Sequence, residues 1–250
     1  MVEEEARDNT PKADCHDCPH RRDLLRAGRC VPGDICVRTM SGRQIERFFR
    51  TNPSMADSYT GDSFWERRAI AARYISQQRL KYLINDPDEV VRRVLAYRLP
   101  QDTLEPLITD SDREVRVTVA DRLPLDKLQY LAKDPDYLVR KTVAKRLPVG
   151  RLFSMIGDVD REVRKAVAER LPQASLAFMQ HDTEAEIRIV VAEHIAEEQL
   201  VTMCDDADWR VRLIAAQRVP VDALSPLLDD EDEDVREVAK ERLTAADLDA

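Results

Sequence analysis

The chain has 250 residues, 43% of them hydrophobic and 35% charged, with a net charge of -9. Aromatics make up only 5% and there are 6 glycines, against an abundance of Leu, Val, Ala, Arg, Glu and Asp, which suits a mostly helical soluble protein and not a sheet protein. The acidic excess repels a phosphate backbone unless a local basic stripe overcomes it, and no run of about 18 apolar residues is present to cross a membrane.

The first ten residues, MVEEEARDNT, are acidic and polar where a secretory signal needs a basic start and an apolar stretch, so a cytoplasmic protein is expected. In that reducing setting clustered cysteines serve as metal ligands or redox groups more readily than as structural disulfides. Four of the five cysteines fall in one short stretch, Cys15 and Cys18 followed by Cys30 and Cys36, with the spacing C-x2-C-x11-C-x5-C. Pro19, Gly28, Pro32 and Gly33 let the intervening chain wrap around a centre. Zinc modules usually pair two short knuckles, a habit that the wider second pair fits less well. Iron-sulfur sites accept four irregularly spaced thiolates, and Arg21, Arg22, Arg26, Arg29 and Arg38 would offset their negative charge. Spacing alone leaves zinc and iron-sulfur level. His16 and His20 could replace a ligand in a zinc site, but with four cysteines present they read as exposed or supporting residues.

Residues 1–40 thus form a cysteine module, and residues 41–61 a connecting segment in which GRQIERFFR has a helical pattern and TNPSMADSYTG reads as turn or loop. This segment is placed to cap whatever follows.

From Asp62 onward a 24-residue period recurs without insertion, restarting at 86, 110, 134, 158, 182, 206 and 230, which makes eight copies over residues 62–250. Apolar residues at the sixth, tenth and fourteenth places, such as Val115, Val119 and Leu123, with Ala120 at the eleventh, draw one stripe of an α-helix. Asp110 and Asp112 open this copy with side chains able to accept from the free N–H groups of the first turn. Proline at the fifteenth place in Pro100, Pro124, Pro148, Pro172 and Pro220 ends the helix. A second, very short α- or 3₁₀-helix is expected around the nineteenth place, which is Leu in every copy, Leu248 of the last included. The end copies are irregular: Phe64, Tyr74 and Ser76 replace acid, Arg and Pro in the first, and Lys240 takes the Ala place in the last. Those read as cap repeats.

Arg fills the seventh place in all eight copies, from Arg68 and Arg92 to Arg212 and Arg236. It reads either as a basic ladder for a phosphate polymer or, since an Asp row recurs as regularly, as a set of bridges fastening repeats together. The second reading is preferred in an acidic chain. A further basic row at the thirteenth place, including Arg98, Arg122, Arg146, Arg170, Arg218 and Arg242, lies near helix C-termini, where a cation is favourable.

The period, the alternation of one true helix with one very short helix and the VR...A.RLP core resemble the leucine-rich repeat variant family over residues 62–250. That resemblance implies an all-α, right-handed superhelical solenoid of alternating α- and 3₁₀-helices with no β-sheet. An iron-sulfur domain precedes these repeats in the family and residues 15–36 look like it, which implies a 4Fe-4S cluster on Cys15, Cys18, Cys30 and Cys36, with zinc as the alternative. Cys204 falls at a core place, His181 and His194 lack partner ligands at useful spacing, and Trp65 and Trp209 stand in first turns as packing or partner-contact residues. No Gly-rich phosphate loop, Ser-His-acid set or radical-enzyme C-x3-C-x2-C is present, so a binding scaffold with a redox, sensing or structural cluster is expected in preference to an enzyme. An unidentified protein partner is expected. Electron transfer, and nucleic-acid binding through the Arg ladder, are the alternatives.

Overall fold

The computed structural model describes residues 10–248; the acidic start of the chain and its last two residues lie outside them. They divide into two compact units, one ending at Leu123 and one beginning at Pro124. Both are built from the 24-residue repeat, and among the described residues the only β-type pairing is one bridge between Val31 and Ile35.

Four repeats open with an Asp-capped helix of ten residues, Glu89–Arg98, Arg113–Arg122, Tyr137–Arg146 and Trp209–Arg218. The cap is the Asp at the third place: Asp88 accepts from Val90 N at 3.0 Å, Asp136 from Leu138 N at 2.9 Å and Asp208 from Arg210 N at 3.0 Å. The preceding Asp orders the approach, as when Asp110 Oδ1 accepts from Asp112 N at 2.8 Å. The stop is steric. Leu99, Leu123 and Leu147 precede prolines and adopt ψ of 143°, 144° and 137°, the extended conformation that a following pyrrolidine ring imposes.

The second element is a 3₁₀ turn or a single α turn followed by one, for example Gln173–Met179, or Val149–Leu152 followed by Phe153–Met155. Its nineteenth-place leucine is fully buried in Leu104, Leu128, Leu152, Leu200 and Leu224. Each repeat thus contributes two apolar faces to a core that only stacking completes.

The last copy departs from expectation. Thr244 stands where five copies have Pro, and the helix runs on through it as Glu233–Leu248 for 16 residues. The short second element is missing there, and Leu248 is exposed instead of buried. The first copy is also irregular: Phe64 cannot cap, and its helix is the seven-residue Trp65–Ala71.

Within the first unit the connecting segment forms the helix Gly42–Thr51 and the 3₁₀ helix Pro53–Tyr59, the latter more regular than the turn or loop expected. It caps the first repeat. Ile45, Phe48 and Phe49 are fully buried, Phe49 meets Tyr74 at 6.1 Å between ring centroids, and Glu46 accepts from Arg73 Nη1 at 3.0 Å and from Tyr74 Oη at 2.5 Å.

Both arginine rows hold the stack together. Arg92 forks onto Asp110 at 2.7 and 3.0 Å while its other nitrogen donates to Asp86 O at 2.8 Å, so one guanidinium ties its own repeat to the next. Arg68 grips Asp86 in the same way in the first unit; in the second unit Arg140, Arg164, Arg188 and Arg212 grip Asp158, Asp182, Asp206 and Asp230. The thirteenth-place row reaches backward: Arg218 donates to Ile195 O at 2.9 Å and Arg242 to Val219 O and Ala216 O, both at 2.8 Å, closing the C-terminus of the preceding long helix. The seventh-place guanidiniums are thus largely buried in salt bridges, and those of the thirteenth place are spent on backbone carbonyls. No helix among the described residues is long and apolar enough to cross a membrane.

Candidate metal centre

The cysteine segment is shaped by backbone turns. Cys18 N donates to Cys15 O at 3.4 Å and Arg21 N to Cys18 O at 3.1 Å, closing a tight turn that places Cys15 and Cys18 side by side before the π-helical turn Arg21–Leu25. The two glycines expected to let the chain wrap adopt φ of 68° (Gly28) and 86° (Gly33), a left-handed conformation that other residues resist. Pro32 and Gly33 lie inside the Val31–Ile35 bridge, a tight loop that delivers Cys36 beneath the helix Gly42–Thr51.

There Cys36 is fixed by its backbone. Its N–H donates to Gln44 O at 3.3 Å, and its carbonyl accepts from Thr39 Oγ1 at 3.3 Å. Gln44 is almost fully buried and uses its side chain to hold Thr39 and, through Nε2, Pro11 O at 2.8 Å. Cys30 and Cys36 are buried; Cys15 and Cys18 are half-buried; all are free thiols.

The four thiols share one electrostatic neighbourhood. Burial pushes Cys30 up to about 11, with further upward pressure from Cys36, Cys18 and Cys15. Cys15 is raised by burial and then by Cys36 and Cys18, with Arg21 opposing. Sequence spacing alone could not show that residues 15 and 36 come together; the chain's turns bring them there. Among the described residues no three His, Cys, Asp or Glu side chains close tightly around the position of a single ion.

His20 and Tyr59 are what the sequence did not reveal. Their side chains bond at 2.6 Å with both residues buried, 39 positions apart, and His20 stacks obliquely on Phe48 at 5.4 Å. Burial, reinforced by Cys18, pushes the Tyr59 hydroxyl up to about 12, while burial and then Arg38 lower His20. This pair joins the chain beside Cys18 to the capping segment. His16 by contrast is exposed and bonded to its neighbour Asp17. Away from this module Cys204 is buried at its core place, His181 is exposed beside Gln180, and Trp65 and Trp209 are each partly exposed in first turns.

The donor set fits a four-thiolate centre: four sulfurs outside any disulfide, two buried and two half-buried, with a guanidinium beside one of them. Residues 10–58 match the family model described as "LRV protein FeS4 cluster", which marks them as an iron-sulfur cluster domain, and residues 209–232 match the model for the leucine rich repeat variant. An uncharacterized 27.7 kDa protein in the nifB 3'region of Rhodobacter capsulatus is 40% identical over 86 residues, a stretch that covers 34% of this chain and 35% of that protein. A solved structure reported as a leucine-rich repeat variant with a novel repetitive protein structural motif is 52% identical. It superposes with a TM-score of 0.86 over 94% of this chain and 100% of its own. With 52% identity and an all-α repeat fold shared over nearly the full length of both chains, the chain belongs to the leucine-rich repeat variant family.

Proposed function

We propose that Cys15, Cys18, Cys30 and Cys36 each hold one iron of a 4Fe-4S cluster, and that the repeats behind it form a scaffold that binds another protein. The observation that carries this reading is the grouping of four free thiols within the domain that matches the FeS4 cluster family. When bound, such a cluster supplies a one-electron redox couple whose potential follows hydrogen bonding and exposure.

The chain's own residues divide the work. Cys30 and Cys36 shelter the inner side, Gln44 and Thr39 fix the loop that carries Cys36, and Arg21 offsets negative charge at Cys15. The half-buried Cys15 and Cys18 leave the outer side near solvent, where a partner could approach. Because every thiol is drawn into one role, no open coordination position for substrate is supplied by the residues, which favours electron transfer, sensing or a structural task over turnover.

The test is anaerobic purification followed by iron, sulfide and zinc analysis and a visible spectrum. Four irons and matching sulfide per chain are expected. A colourless protein carrying zinc and no sulfide overturns the cluster. Replacing Cys30→Ala is expected to abolish cluster retention while most helicity survives.

A further inference from the structure

In the second unit the short helices of five consecutive repeats present apolar side chains outward. Tyr130, Val149, Phe153, Phe178, Val201 and Val221 are between 37% and 68% exposed. They occupy only the sixteenth, twentieth and twenty-first places of their repeats, so the 24-residue period sets them along one face. Phe153 and Phe178 meet edge-on at 5.0 Å across two adjacent repeats, which makes the middle of the row a continuous aromatic surface. A row of this length on a chain that is 35% charged marks a contact surface.

The charges along this row say what covers it. In the fourth repeat the row carries Arg151, preceded in the third by Lys127 beside Asp126. The fifth repeat carries no charge from Gln173 to Met179, the sixth carries Glu197 and Glu198, and the seventh Asp222. The pattern runs from basic through neutral to acidic. Turned end for end about the fifth repeat, the same row is its own complement, which is the requirement of a two-fold interface. Arg151 is exposed and donates only to neutral oxygens, Gln129 Oε1 at 2.9 Å and Asp126 O at 3.4 Å. Glu197 and Glu198 are exposed and take part in no ion pair among the described residues. A net charge of -9 makes two copies repel elsewhere, so this nearly neutral face is where they can approach.

We propose that the short-helix face of the second unit binds a second copy of this chain in antiparallel orientation, with Phe178 and Phe153 at the centre. Arg151 then faces Glu197 of the partner subunit and Glu198 of the partner subunit. The inference goes beyond the iron-sulfur reading and does not rest on it, since iron and sulfide content tests the one and molecular mass the other.

The experiment is sedimentation equilibrium of the anaerobically purified full chain across the micromolar range. A dimer is expected. Phe178→Glu, a surface change that leaves the circular dichroism spectrum intact, is expected to give monomer. Arg151→Glu is expected to weaken the dimer at least about tenfold, and adding Glu197→Arg and Glu198→Arg to the same chain to restore it, as close charge pairs at interfaces do. A wild-type monomer throughout, a dimer indifferent to Phe178→Glu, or a charge reversal that its counterpart fails to rescue overturns the proposal.

Discussion

The hydroxyl of Tyr59 and the ring of His20 illustrate how little of a polar contact can be read from its two residues. Neither the cysteine spacing nor the linker pattern pairs them; their contact follows from a helix at Gly42–Thr51 that brings Phe48 under His20 and from the 3₁₀ helix that ends at Tyr59. Because both partners are buried, Tyr59→Phe leaves a ring nitrogen without a partner. A loss of about 1 to 3 kcal/mol is expected in denaturant unfolding. An unchanged midpoint would mean that water replaces the hydroxyl. The cysteines were legible for the opposite reason, since a thiol's chemistry is scarce enough that four in one stretch announce a centre wherever the turns take them.

At the scale of single helices the repeats grade themselves, because the irregular copies show what the regular ones gain. Glu184 stands at the third place of the sixth repeat, and its side chain makes no cap bond, while Asp at the same place caps its neighbours. One extra methylene carries the carboxylate past the first-turn N–H groups. Glu184→Asp is therefore expected to raise stability by about 1 kcal/mol, seen as a higher thermal midpoint. In the same repeat His194 replaces the thirteenth-place Arg and bonds its own helix at Val190 O. The helix of the preceding repeat, which that Arg would have closed, is Arg161–Ala168, eight residues long where most of its neighbours have ten. His194→Arg is expected to reach Ala168 O as Arg170 reaches Ala144 O, adding about 1 kcal/mol. A lower midpoint would show that the position does not admit the longer side chain. These differences were present in the sequence, yet their consequences needed coordinates. Pro at the fifteenth place was readable as a stop, but the long final helix that runs through Thr244 was not.

Over a whole unit, stability in a repeat stack is a sum of repeats and of the seams between them, and the seam here is the Arg to Asp fork. In the second unit Asp206 and Arg188 are both nearly inaccessible in their pairing. Asp206→Ala strands a buried guanidinium and is expected to cost about 3 to 5 kcal/mol, with unfolding that separates into two transitions. A single transition at an unchanged midpoint would show that the seam is held by apolar packing alone. The same forks set the response to acid. The bond from Arg212 holds Asp230 below the ordinary carboxylate range; at Asp182 burial pushes upward, but the bond from Arg164 outweighs it and the net shift is downward. A depressed folded-state value means stabilisation that is complete above the unfolded value, about 3.9, and is lost as pH falls through the lower folded one. Denaturation midpoints are expected to stay level from neutral pH to about 5 and to fall steeply below about 4. The constant offset of the Arg and Asp rows makes this seam foreseeable, whereas the outward row of Tyr130, Phe153 and Phe178 leaves no pattern to read because its places vary from copy to copy.

The forward reach of one arginine row and the backward reach of the other have a consequence for how such a chain can change its length. Each fork described joins an Arg to an Asp 18 positions further on, so it does not matter which copy supplies the Asp. Excision of residues 182–205 would bring Asp206 to the position of Asp182, opposite Arg164, and Arg218 to that of His194. Removal of that whole period thus conserves the Arg to Asp fork it crosses. Gene segments of this length can be gained or lost without any new fork having to be invented, and the number of repeats is free to vary.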